Sequence, residues 1–184
     1  MTVEAERRSG TGRFALILAL GALVALSLGV YGSVHDPTGR SLVTLFFTRT
    51  ITLKVWLATA VVVLAAGQVV GALKLYGKLG KGSGPPWLGI AHRTSGTLAF
   101  LLAIPVAYHC LWALGFNPSE PRTLIHSLAG CFVFGAFAAK MLTVRSHNLP
   151  RWALPTIGGL LFTGLTVVWL TSALWFFTTV GLDL

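Results

Sequence analysis

The stretch from residue 92 to residue 116, HRTSGTLAFLLAIPVAYHCLWALGF, is long and apolar enough to cross a lipid bilayer. A membrane-spanning helix needs about 20 mostly apolar residues, because each residue adds only about 1.5 Å to its length. Four more stretches meet this requirement, at about residues 14–34, 53–75, 123–144 and 154–180. The sequence therefore predicts an all-α integral membrane protein, a single transmembrane domain (1–184) built as a bundle of five helices.

The composition also indicates a lipid environment. Of the 184 residues, 54% are hydrophobic and only 10% are charged, which is too few charged side chains to cover a water-soluble protein of this size. In a soluble protein, the net charge of +9 would suggest a nucleic-acid partner. Here the basic residues lie between the apolar stretches, where they indicate topology. We therefore expect a lipid bilayer as a partner and no nucleic acid.

The distribution of Lys and Arg predicts the orientation. Five spans place the N-terminus and the second and fourth loops on one side of the membrane, and the remaining loops and the C-terminus on the other. The first side carries ten Lys and Arg residues: Arg7, Arg8, Arg13, Lys74, Lys78, Lys81, Arg93, Lys140, Arg145 and Arg151. The second side carries four: Arg40, Arg49, Lys54 and Arg122. The positive-inside rule therefore predicts an N-terminus inside the cell and a C-terminus outside.

Four of the five histidines belong to the third and fourth predicted helices, and ionisable side chains in membrane helices usually have a function. His92 and His109 are separated by about 25 Å of helix, and His126 and His147 by about 31 Å. A short loop joins the two helices, so they run antiparallel, with His109 near His126 at the outer face and His92 near His147 at the inner face. Imidazoles from facing helices can ligate haem iron. The four histidines are therefore candidate axial ligands of one or two haem b groups.

Both helices begin with the same pattern, H-x-x-x-G-x-x-x-F. Gly96 follows His92 by four residues, and Gly130 follows His126 by four, with a phenylalanine one turn further in each case. Residues four apart share a helix face, so each glycine would leave room for a flat macrocycle beside its ligand. The alternative is that these glycines only allow close helix packing, as many do in membrane helices.

Several polar residues at the predicted interfaces are further candidates. Basic side chains occur where haem propionates would emerge, namely Arg93, Lys140 and Arg145 at the inner face and Arg122 at the outer face. The same residues could instead serve as interfacial anchors. We assign no role to His35, because a histidine in an interfacial loop is usually solvated.

The inner histidine pair is less well aligned than the outer pair. If His109 faces His126, then His92 faces Thr143, and His147 lies four residues further, about 6 Å along the axis. An ideal helix would also turn His92 and His109 about 100° apart. The sequence thus favours the outer site and leaves open whether there is one haem or two.

At these histidines the chain resembles membrane b-type cytochromes, in particular the cytochrome b-561 and ferric-reductase-like transmembrane group. The resemblance rests on HRTSGTLAFLLAIPVAYHC (92–110) and IHSLAGCFVFGAFAAK (125–140), and the last three spans also resemble an uncharacterised family of actinobacterial membrane proteins. It implies haem b as the cofactor and an electron-transfer subunit of a respiratory chain in the bacterial cell (inner) membrane. A redox partner protein or a quinone, together with other membrane subunits, would be its partners.

Two other functions are compatible with the sequence. One is a haem-free accessory subunit that packs against a larger membrane complex, its histidines being merely interfacial. The other is a proton or metal-ion channel that uses the histidines as a relay, although the spans lack the embedded acids that such pathways usually contain.

Overall fold

The computed structural model describes residues 3–40, 43–82 and 84–181, and side chains within these ranges from residue 10 onward. The helices are α1 (Val3–Val34), α2 (Thr50–Leu75), α3 (Trp87–Tyr108), α4 (Pro121–Arg145), α5 (Ala153–Trp169) and the short α6 (Trp175–Thr179). Two π-helical turns interrupt this pattern. One, His109–Leu114, extends α3, and the other, Leu170–Leu174, joins α5 to α6.

Among the described residues, five helical segments are long and apolar enough to cross a membrane, which confirms the predicted number. They are Gly10–Val34, Thr50–Leu75, Trp87–Leu114, Pro121–Arg145 and Ala153–Thr179. The third span begins at Trp87, earlier than expected, because the preceding Pro86 supplies a helix start that needs no backbone N–H. Many large apolar side chains, such as Leu16 and Leu26 of α1, are exposed, as lipid-facing residues must be.

The helices follow one another around the bundle in the order α1, α4, α5, α2, α3. The π turn after α3 then returns to α1. Although α3 and α4 are consecutive in the chain, their backbones make little close contact within the described residues. Side chains, and not close helix packing, therefore bridge the space between these two helices.

The position of α4 is fixed by its close contact with α1. A Cβ atom added to Gly21 would lie 2.7 Å from the carbonyl oxygen of Gly135, and one added to Gly135 would clash with the carbonyl oxygen of Gly21. Ile17 and Val133 are buried beside this crossing, and Ile157 of α5 joins them in one cluster. Because the two glycines let the backbones touch, α4 can turn its His126 face away from α1 and toward α3 and α5.

We call the end of the bundle where α3 ends and α4 begins the His126 end, and the opposite end the Lys140 end. Both π turns lie at the His126 end, since Cys110 of the first and Thr171 of the second contact His126. A π turn widens the helix locally and is frequent at functional sites. The irregular backbone is thus concentrated around one of the two predicted ligand positions.

His147 does not lie on the fourth helix, where the sequence predicts it. α4 ends at Arg145, Ser146 is extended, and Asn148 has a positive φ of 59°. Pro150 follows, and the residue before a proline is disfavoured in helical conformation. His147 is therefore exposed in the connection between α4 and α5, and the helical position expected for it is wrong.

Candidate functional site

The imidazole of His126 is anchored by the π turn between α5 and α6. Its Nδ1 atom lies 3.2 Å from Oγ1 of Thr171. The Thr171 hydroxyl donates its only proton to a carbonyl oxygen of its own helix, that of Val167, at 2.7 Å. The hydroxyl must therefore accept from His126, so Nδ1 carries a proton, and in the neutral ring Nε2 then carries the lone pair.

His109 is anchored in a comparable way. It is 2% exposed, and its Nδ1 atom lies 2.7 Å from the carbonyl oxygen of Pro105, one turn earlier. A carbonyl oxygen can only accept, so Nδ1 of His109 donates and Nε2 carries the lone pair. Histidines that bind metals usually donate their other ring N–H to a carbonyl or similar acceptor, which fixes the ring. Both residues at the His126 end have this feature.

The residue that lies directly against His126 is Cys110. Its sulfur contacts the His126 imidazole and the ammonium of Lys54 from α2. Neighbouring residues on a helix point about 100° apart, so the side chain of His109 leaves the helix in a different direction from that of Cys110. The structure thus brings His109 and His126 to the same end of the bundle and places a thiol at the nearest position on α3.

Lys54 is a polar residue of this site that sequence reasoning missed. It is 8% exposed, and among the described residues no carboxylate forms an ion pair with it. A buried cation is costly unless an anion or hydrogen bonds compensate it. Its position in the sequence, at the start of an apolar span, suggested only a topology signal.

The space beside Gly130 is open. No atom comes within 4 Å of a Cβ atom added there, although Gly130 follows His126 by one helical turn. One turn further, Phe134 meets Phe100 of α3 with ring centroids 6.2 Å apart, and Phe137 stacks on Phe100 at 4.1 Å. Along α4, the open position at Gly130 therefore lies between His126 and the aromatic contacts that Phe134 and Phe137 make with Phe100.

The Lys140 end is arranged differently, and His92 faces α2. A Cβ atom added to Gly71 of α2 would lie 3.3 Å from Nδ1 of His92, which is buried with no hydrogen-bond partner among the described residues. Gly96 also faces α2, because a Cβ atom there would lie 3.1 Å from Oε1 of Gln68. The Gln68 amide donates to the carbonyl oxygen of His92 at 2.6 Å. Gly96 therefore lies against Gln68 of α2, and not on the side of α3 that the matching patterns suggested.

The other residues predicted for an inner site do not converge. Lys140 is half-buried and close enough to His92 for their charges to interact, as is the exposed Arg93. His147 and Arg145 are both exposed near the end of α4. Across the described residues, no group of three or more His, Cys, Asp or Glu side chains could hold a metal ion.

Arg122 supports the Thr171 turn. Its guanidinium donates to the carbonyl oxygen of Thr171 at 2.9 Å, lies 3.8 Å from the ring centre of Trp175 and is 3.7 Å from the carboxylate of Glu120. These contacts hold α4 against the π turn that orients His126. The side chain acts on the site through Thr171, a role that the sequence did not indicate.

His35 is packed into an aromatic stack at the same end. Its ring is 5.1 Å from that of Tyr31 and 4.7 Å from that of Trp112, measured between centroids. Its Nε2 atom is buried with no hydrogen-bond partner within the described part of the chain. The expectation of a solvated loop residue is therefore wrong for this side chain.

A protein family of unknown function, DUF6529, matches residues 14–184, and the chain belongs to this family. No curated protein matches the sequence. No solved structure matches it either. The function is therefore inferred from the site itself.

Proposed function

We propose that this DUF6529 member is a transmembrane electron-transfer subunit that binds one haem b at the His126 end, with His126 and His109 as the axial ligands. The observation that carries the proposal is that both imidazoles lie at the same end of the bundle and donate Nδ1–H to fixed acceptors, while the space beside Gly130, one turn from His126, is open. A haem held by these two imidazoles would supply one-electron transfer between its ferrous and ferric states.

The residues of this end would hold the cofactor as follows. His126 is already oriented by Thr171, and the gap next to Gly130 offers room for the macrocycle, with Phe134 as its inner boundary. His109 reaches the position now taken by Cys110 if the π turn shifts by one residue, a change of about 100°. A π turn contains one residue more than a turn of α-helix. Moving that extra residue along the chain by one position would change the backbone only within the turn.

Lys54 is the cation best placed for a haem carboxylate. It is buried at the His126 end and lacks a carboxylate partner among the described residues. A propionate beside it would supply the missing negative charge. Arg122 is less suited to this role than the sequence suggested, because Thr171, Trp175 and Glu120 already engage its guanidinium.

A second haem does not fit the residues at the Lys140 end. His92 is directed at Gly71 of α2, and His147 is exposed beyond the end of α4. Among the described residues, the Lys140 end therefore offers no pair of histidines that face each other from α3 and α4. We propose one haem per chain.

The proposed setting is the cell membrane of a bacterium, with the N-terminus inside and the His126 end near the outer face. Ten of fourteen Lys and Arg residues on the side of the N-terminus support this orientation. The chain would exchange electrons with a quinone or a redox partner protein, together with other membrane subunits. An alternative is a haem-free accessory subunit.

Spectra of single variants test the ligand assignment. His126→Ala should lose its haem, whereas His109→Ala should keep part of it in a five-coordinate, high-spin form with a shifted Soret band. His147→Ala is the matched control and should keep the spectrum of the unmodified protein. Full retention of a low-spin spectrum by His126→Ala would overturn the assignment, and a colourless preparation of unmodified protein would favour the accessory subunit.

A further inference from the structure

A cavity of about 350 Å³ opens at the Lys140 end, where the beginning of α1 meets the connection between α4 and α5. It is lined by Gly10, Thr11 and residues 148–152. The backbones are close at its edge, because a Cβ atom added to Gly10 would lie 2.5 Å from the carbonyl oxygen of Asn148. The volume is at the lower end of the range for small-molecule sites, roughly 300–1,000 Å³. None of the candidate haem ligands lines this cavity.

The lining combines a positive charge with polar and apolar groups. Arg151 contributes an exposed guanidinium, which forms no ion pair with a carboxylate among the described residues. Leu149, Pro150 and Trp152 contribute apolar surface, and the Trp152 ring packs edge-on against Phe14 of α1 at 5.1 Å. Such a lining suits a molecule that joins an anionic group to an apolar part.

The lipid-facing side of α1 begins next to this cavity. Leu18 and Leu26 lie on the same face of α1 as Thr11, seven and fifteen residues further along, and both are exposed, because α1 packs against α4 and the π turn of α3 on its other side. Acyl chains lying along these leucines would bring a headgroup to the level of Arg151. A phospholipid lying in this way would have its phosphate at the cavity.

We infer that this cavity binds the phosphate headgroup of an anionic phospholipid, with Arg151 as the charged contact. The guanidinium matches phosphate oxygens with two parallel hydrogen bonds. The Lys140 end belongs to the side that carries ten Lys and Arg residues and, in the proposed orientation, faces the cytoplasmic leaflet, whose anionic lipids attract such clusters. The inference is independent of the haem.

Native mass spectrometry of the full-length protein, exposed to equal amounts of phosphatidylglycerol and phosphatidylcholine, tests it. The unmodified chain should retain one phosphatidylglycerol in preference to phosphatidylcholine. Arg151→Gln should lower that preference about tenfold, the effect of losing a charged hydrogen bond. Arg145→Gln removes an exposed arginine at the same end that does not line the cavity, and should change the preference less than about twofold.

Two further measurements separate a lipid headgroup site from surface charge and from a site for free anions. Asn148→Gly removes an amide from the cavity at a residue whose φ of 59° suits glycine, so it should weaken the lipid preference without unfolding the protein. Inorganic phosphate at millimolar concentration should not displace the lipid. Equal losses in Arg151→Gln and Arg145→Gln would show that only net surface charge matters, and displacement by inorganic phosphate would make the ligand a free anion. Either result would overturn the inference.

Discussion

Replacing Gly130 by leucine should abolish haem binding while leaving the bundle intact. No atom lies within 4 Å of a Cβ atom at this position, so the first carbon of the new side chain avoids the overpacking cost of about 1–3 kcal/mol that a filled core would impose. Leucine also favours helix over glycine by about 0.5–1 kcal/mol. The protein without haem should therefore unfold at an unchanged or higher temperature. In contrast, the leucine occupies the gap beside His126, so the haem content should fall below about a tenth of the unmodified level.

Gly135→Ala is the matched control on the same helix. Its added methyl group would clash with the carbonyl oxygen of Gly21, so it should destabilise the bundle by about 1–3 kcal/mol. Haem content is measured from the pyridine haemochromogen spectrum and stability from thermal unfolding followed by circular dichroism. Comparing Gly130→Leu with Gly135→Ala therefore separates loss of the cofactor from loss of the fold.

Two results with Gly130→Leu would contradict a haem site in an open space beside Gly130. Full haem content with an unshifted Soret band would show that the gap between α3 and α4 is not the cofactor site. A fall in unfolding temperature as large as that of Gly135→Ala would show that the space beside Gly130 is not open, and the loss of haem would then have no specific meaning.

Three further variants test individual contacts and sites. Thr171→Val removes the acceptor of His126 Nδ1–H and should weaken haem binding about 10–100-fold in a haem titration, whereas unchanged affinity would contradict the anchoring role. His92→Ala combined with His147→Ala should leave the ratio of haem to protein unchanged, and a halved ratio would reveal a second site. Gln68→Leu loses hydrogen bonds between α2 and α3, so it should lower the free energy of unfolding by about 1–3 kcal/mol with normal haem content, which denaturation curves and the absorption spectrum would check.

The five spans could be predicted because hydropathy is a local property of each stretch. The residues at which the helices begin and end were less predictable. α2 begins at Thr50, so Lys54 lies one helical turn inside the helix and is buried, although a count of charges placed it with the loops. Burial depends on what packs against a helix start, and a single stretch of sequence does not contain that information.

The approximate register of α3 and α4 could also be predicted, but not the facing side chain. An ideal helix places His109 opposite His126, whereas the structure has Cys110 there. The difference of one position arises where α3 changes into the π turn that begins at His109. Regular periodicity cannot anticipate such a turn, because it assumes a constant number of residues per turn.

The side of α3 on which Gly96 lies depends on tertiary packing. The matching patterns after His92 and His126 suggested that both glycines face the same space. The structure instead places α2 beside α3, so that Gly96 accommodates the side chain of Gln68. Which helix lies beside which follows from the order around the bundle, and similar local patterns on two helices do not determine it.

Haem binding is tested most directly by the haem content of the purified, unmodified protein from haem-replete cells. We expect one haem b per chain, with a low-spin spectrum that gains sharp α and β bands on reduction with dithionite. A colourless protein would contradict haem binding, and two haems per chain would contradict the single site at the His126 end.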